Sequence, residues 1–326
     1  MRQKILLATS MLMAGVLMAS TVAAEQVTLK FAHEAPENAI KGQTANLFAN
    51  LVGKYSNGEV KVEVYPGGQL VPTKEEIRAA VRGQVDFIAP FTSYYSSINE
   101  TWDIFYQPLL FDNVDHAMDA FSGDLGGAVL DKLKDRGLVG LGIWHDGPVY
   151  LFTAGDPVTA VDGLKGKKIR VFPNKPLESI LHKLGASPIS MPATEVYLAL
   201  QQGVVDGVLT TPTYAAPAKW YEVLKGLNRT IFGIGGYGVA ASGKTWAKLD
   251  NDQKAAVQRA MDEAVRWNQD QAKKNIGKSI ETLKTEGVTV VDPSAAQADA
   301  WKELAREVYA EQGDELQGLI KSVKGE

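Results

Sequence analysis

Apolar and polar residues alternate along Val27, Leu29 and Phe31, which predicts a half-buried strand broken by His33-Glu34-Ala35-Pro36-Glu37. Leu47, Phe48, Leu51, Val52 and Tyr55 then share one face at helical spacing, with Asn57-Gly58 as the stop. Val60, Val62 and Val64 alternate again before Pro66-Gly67-Gly68. Thr73-x-x-Glu76 reads as a capping box for a helix ending near Gly83, followed by a strand over residues 85–89. Strands alternating with helices in this order predict an α/β fold.

The rhythm resumes after Leu138, with strands over 149–153 and 168–172, a helix over 176–184 and a short strand over 189–191. A helix over 194–202 and a strand over 204–209 complete a second α/β lobe, and the chain is expected to cross between lobes near 143–147. Residues 250–286 contain no Pro, and Val257, Met261, Ala264, Asn268, Ala272, Ile276, Ile280 and Leu283 recur at helical spacing. One helix of that length is about 50 Å long, enough to brace two lobes. Asn268 and Gly277 are weak points that leave two abutting helices open. A strand over 287–291 and a helical tail capped by Ser294-x-x-Gln297 end the pattern.

Composition narrows the chemistry. The 326 residues suffice for one large or two medium domains. The absence of Cys excludes disulfides, thiol catalysis and Cys-ligated zinc or iron–sulfur sites. His33, His116, His145 and His182 are scattered, so no metal or cofactor is expected. Arg2 and Lys4, the apolar run from Ile5 to Ala19 and the small residues Val22-Ala23-Ala24 read as a cleaved secretory signal over residues 1–24. Its removal takes the formal charge from −4 to −6. No basic tract suits nucleic acid. A soluble, cysteine-free exported chain fits a bacterial periplasm.

Two motifs mimic nucleotide sites. Gly238-Val-Ala-Ala-Ser-Gly243-Lys244-Thr245 matches the phosphate-binding loop G-x-x-x-x-G-K-T, and Gly233-x-Gly235-x-x-Gly238 matches a dinucleotide fingerprint. Val239-Ala240-Ala241 reads as continuing strand, and one clear strand follows the motif, so a glycine-rich strand is the better reading of both. There is no G-x-S-x-G elbow and no plausible pairing of nucleophile with base, which disfavours an enzyme. In Gly163-Leu-Lys-Gly-Lys-Lys-Ile-Arg170-Val-Phe172, alternation puts Ile169 and Val171 on one strand face and Arg170 and Phe172 on the other. A charge among β-branched residues is either tied to an internal carboxylate or waits for an anionic ligand.

This chain resembles the solute-binding proteins of tripartite ATP-independent periplasmic (TRAP) transporters, the C4-dicarboxylate-binding DctP type. The resemblance rests on the gapless run from Gly163 through Leu184-Gly-Ala-Ser-Pro to Glu195-Val-Tyr-Leu-Ala-Leu-Gln-Gln-Gly-Val-Val-Asp-Gly207, then Lys219-Trp-Tyr-Glu-Val223. Phe31-Ala-His33, Pro66-Gly-Gly-Gln-Leu70, Gln107-Pro-Leu-Leu-Phe111 and Asp115-His-Ala117 support it. It implies a two-lobed periplasmic solute-binding fold with β-strand hinges and a long domain-spanning helix. The expected lobes are residues 25–147 with about 237–262, and residues 148–236 with about 263–326. It also implies a small organic acid as ligand, a membrane permease as partner, and no catalysis. The alternatives are a periplasmic enzyme acting on a small carboxylate and a nucleotide-binding protein.

Arg170 falls on the family's carboxylate-binding arginine. Where many relatives carry a second Arg this chain has Val149; a common ligand-shell Asn corresponds to Thr210, and a usual aromatic to Ala193. The lost cation argues for a monocarboxylate or zwitterion over a dicarboxylate. Glu34 is the expected opposite pole, since relatives that bind the zwitterion ectoine look similar at Ala32-His33-Glu34 and also lack the second Arg. Phe91, Tyr94, Phe172 and Tyr214 are expected to wall the cleft.

Overall fold

The computed structural model describes residues 26–111 and 113–326, and the expected signal segment lies outside them. Among these residues nine strands form one sheet: β1 (Val27–Ala32), β2 (Val60–Tyr65), β3 (Phe87–Ile88), β4 (Leu138–Thr153), β5 (Lys168–Val171), β6 (Ser187–Ser190), β7 (Gly207–Thr210), β8 (Gly226–Ser242) and β9 (Thr289–Val291). The order is β2-β1-β3-β8-β4-β7-β5-β6, with β9 beside β8.

β1 runs parallel to β2 and β3, and β5 parallel to β6 and β7, so each lobe carries its own parallel group. The antiparallel ribbon of β4 and β8 joins them, from Leu138↔Ser242 at one end to Thr153↔Gly226 at the other. β3 pairs with the far end of β8 at Phe87↔Ala241, and β7 with the near end of β4 at Tyr150↔Thr210. The ribbon is therefore a covalent and hydrogen-bonded path between the two parallel groups. Its register shifts between His145 and Gly147, inside the expected crossing, and such irregularities bend a strand.

Several expected elements differ. β4 begins at Leu138 rather than 149 because it is buried along almost its whole length and so shows no polar alternation. β3 contains two residues instead of five, and β7 starts at Gly207 rather than 204. Thr73 does not cap: a 3-10 turn over Thr73–Glu75 precedes the helix Glu76–Arg82, and Glu76 turns inward and is fully buried. Ser294 accepts from the Gln297 N–H at 3.2 Å, but the Gln297 side chain is used elsewhere, on Asn228 and Ala160.

The long helix is continuous over Asn251–Thr285 and opens on a reciprocal capping box between Asp250 and Gln253. Asn268 does not interrupt it. Its Oδ1 accepts the His145 N–H of β4 at 2.5 Å and its Nδ2 donates to Thr44 Oγ1 at 3.1 Å, on the helix Ile40–Tyr55. The residue that looks like a helix flaw pins the ribbon beside its register shift. Asn268→Ala is expected to cost about 1–3 kcal/mol, the penalty for orphaning a buried N–H, with helix content unchanged. Urea unfolding followed by circular dichroism measures both.

β8 keeps strand pairing through Gly233–Gly238, and a Cβ on Gly233 would lie 2.9 Å from Tyr106 Cα. One on Gly235 would lie 2.8 Å from the Phe91 ring, and one on Gly238 2.5 Å from the Tyr95 ring. These glycines admit aromatic rings against the strand. Lys244 donates to the Arg82 carbonyl at 3.1 Å and Thr245 to the Asp86 carboxylate, so the phosphate-loop letters serve a strand end and a one-turn helix.

Candidate functional site

The carboxyl ends of the strands converge on one cavity, the position where open α/β sheets take ligands. Glu34 follows β1, Phe91 and Tyr94 follow β3, and Asp146 lies on β4 at the register shift. Arg170 is in β5 and Phe172 just beyond it; Thr210 ends β7, with Thr211 and Tyr214 in the next turn, and Tyr237 comes from β8. All seven residues expected from sequence, namely Arg170, Glu34, Phe91, Tyr94, Phe172, Thr210 and Tyr214, line this cavity of about 30 Å³. It also includes Thr73, Asp146, Ala193, Thr211 and Tyr237, which were not expected as contacts.

Arg170 is 3% exposed. Its Nε and Nη2 donate to the Met191 carbonyl at 3.0 and 2.8 Å, and Nη1 to the Leu209 carbonyl at 3.4 Å. Those bonds use three of the five N–H donors and aim the planar fork. Among the described residues no carboxylate pairs with it. Burial lowers its pKa to about 10, so it remains a cation at neutral pH. The choice left open by strand alternation, between an internal salt bridge and an uncompensated charge, falls to the latter.

Glu34 is buried at the wall and forms an ion pair with Lys41, which is fully buried and stands 4.2 Å from the Tyr237 ring centroid. Glu34 is thus a wall residue whose charge is engaged by Lys41. Glu76 lies close by, with neither carboxyl oxygen bonded to a described residue; burial, reinforced by the Glu34 charge, pushes its pKa well up.

The other acid at the wall is Asp146. Its side chain accepts hydrogen bonds from the hydroxyls of Thr211 and Thr213, the latter at 2.8 Å, and from Tyr237. Burial raises its pKa, and these donors and Lys41 oppose the rise. Around these poles Phe91 meets Phe172 edge-on at 4.8 Å, Tyr106 lies 4.8 Å from Phe172, and burial raises the Tyr94 and Tyr214 phenols. A buried guanidinium and a buried carboxyl group thus line one small aromatic-walled space.

Residues 31–315 match the family model described as bacterial extracellular solute-binding protein, family 7. The chain belongs to that family. It is 32% identical over 295 residues to the C4-dicarboxylate-binding periplasmic protein DctP of Rhodobacter capsulatus, covering 90% of this chain and 88% of that one. A TRAP periplasmic solute-binding protein from Shewanella oneidensis, with bound succinate, superposes with a TM-score of 0.87 at 28% identity, covering 91% of this chain and 98% of that one. The sugar acid binding protein DctPAm of Advenella mimigardefordensis, in complex with galactonate, also gives 0.87, at 26% identity over 92% and 99% of the two chains.

TRAP solute-binding proteins are periplasmic transport components that take small organic acids and work with membrane permease subunits. Among the described residues no helix is long and apolar enough to cross a membrane. In this TRAP protein Val149 is fully buried in the core, away from the cavity, and Ala193 leaves room at the wall. A second contact closes the cleft farther out. Asn174, which caps the helix Lys175–Lys183, donates to Asp103 Oδ1 at 2.6 Å; Ser96 donates to the same oxygen, and burial lifts the acid to about 6.

Two imidazoles beside this TRAP site are kept neutral by burial. His33 is lowered to about 3, with help from Lys41, and His145 to about 4, with help from Lys273. The unfolded chain binds these protons near pH 6.5, so the stability they contribute is present above that pH and is lost as pH falls toward 4. Both rings are expected to remain neutral at pH 5 in an NMR titration. Protonation of either near 6.5 would contradict the burial argument.

Proposed function

We propose that this protein captures a small monocarboxylic or zwitterionic acid, in preference to a dicarboxylate, and delivers it to a TRAP permease. The observation that carries the reading is Arg170, a buried guanidinium with two N–H groups left to donate and no carboxylate paired to it among the described residues. The other buried cation nearby, Lys41, is engaged by Glu34, and the chain carries Val149 at the position where many relatives carry a second Arg. A second carboxylate would lose its hydration without gaining a partner.

Family precedent covers both classes, with succinate in the Shewanella protein and density assigned to pantoate in one from Bordetella. In this reading residues 25–147 with about 237–262 close against residues 148–236 with about 263–326, and the signal at 1–24 directs export to the periplasm. Calorimetric titration of the mature chain with succinate and with monocarboxylates and zwitterions of similar length is the test. Succinate binding most tightly would overturn the preference.

A further inference from the structure

We propose that Asp146 is the specificity-determining residue of this site, selecting small carboxylic acids that carry a positively charged nitrogen. This rests on Arg170 as the carboxylate grip and adds the opposite pole.

Arg170, Glu34 and Asp146 line the cavity, and Lys41 pairs with Glu34 by direct contact. Burial, reinforced by the Glu34 charge, pushes the Glu76 carboxyl well up. What remains is Arg170 and Asp146, neither paired with an opposite charge among the described residues. The hydroxyls of Thr211, Thr213 and Tyr237 suit an ionised Asp146, because they donate to the carboxylate without neutralising it.

A zwitterion supplies each pole with a partner and leaves the closed cavity neutral. A plain monoanion satisfies Arg170 and leaves Asp146 as an unpaired buried charge, and a dianion adds a further one. Both poles line the same small cavity, so one small ligand can meet both. Asp146 also stands between His145 and Gly147, where the ribbon shifts register, so a ligand held there touches the segment that must bend on closure.

The matched series 4-aminobutyrate, 4-hydroxybutyrate, butyrate and succinate tests the idea, with a wider panel of ammonium- and amidinium-bearing acids, against wild type, Asp146→Asn and Arg170→Ala. In wild type an acid with a cationic nitrogen should bind about thirtyfold or more tighter than its uncharged counterpart, as a desolvated charge pair requires. Asp146→Asn should abolish that ratio, by weakening the acids that carry a cationic nitrogen and tightening the plain acids, which no longer strand a buried charge. The wild-type ratio needs no variant, so a folding defect in Asp146→Asn does not shield the proposal. Equal loss for all ligands in Asp146→Asn, an unchanged ratio, or no binding by any zwitterionic acid at millimolar concentration would overturn it. Arg170→Ala separates the two claims. Loss of every carboxylate there upholds the grip even if the Asp146 ratio fails, and full affinity there removes the grip itself.

Discussion

Arg170→Ala is expected to weaken binding of every carboxylic acid by about 30- to 5,000-fold, the equivalent of the 2–5 kcal/mol typical for truncating one side of a desolvated charge pair. The loss is large because the site has no reserve. Lys41 is locked to Glu34, and among the described residues no cation other than Arg170 lines the cavity. Arg170→Lys should recover only part of the affinity, since an ammonium cannot hold the Met191 and Leu209 carbonyls and still present a planar pair of donors. The unliganded protein should lose only about 1–3 kcal/mol of stability to urea, for the Met191 carbonyl left without its donors, because the charge itself is uncompensated until ligand arrives. Titration calorimetry and urea unfolding read the two effects separately, and undiminished affinity in Arg170→Ala would refute the site.

The second large effect is on stability. Gly238→Val places a Cβ 2.5 Å from the Tyr95 ring and about 3.0 Å from Trp102, both fully buried, and then adds two methyl groups. Neither ring can withdraw cheaply: Tyr95 donates its hydroxyl to the Gly238 carbonyl at 2.9 Å and packs on Trp102 with centroids 4.5 Å apart. Overpacking of this kind costs about 1–3 kcal/mol, and a strand paired on both sides belongs at the upper end. Lys244→Ala, in the same motif, removes only an exposed bond to the Arg82 carbonyl and should change the thermal midpoint little. The contrast also tests the motif: a working phosphate loop would depend on its lysine, whereas this strand depends on its glycine.

The parts of the fold that were legible in sequence are those with a polar face. β1, β2 and the long helix show their periods because one side meets water, whereas β4 is buried along almost its whole length and shows none. Arg170 could be singled out because alternation predicted a charge inside a strand. The same argument applies to Asp146 in Ile143-Trp-His-Asp-Gly, where an acid interrupts an apolar stretch, yet no period marks that segment as strand. Lys41 could not be read at all. It sits on the first turn of a helix, an ordinary place for a lysine, and only the tertiary approach of Glu34 and Tyr237 turns it into a buried counter-charge. Pairing of charges is a property of distance, and spacing along the chain does not encode it.

The shared ribbon also dictates the order of assembly. β3, near the start of the chain, meets its outer neighbour only when Ala240 and Ala241 arrive, and β4 waits for the same strand along its whole length. A nascent chain that ends at Lys225 therefore has β1, β2 and β3 in hand and no partner for their open edge. Such late, long-range closure slows folding. A fold of this kind cannot lock until most of its length is available, and β8 is the bolt.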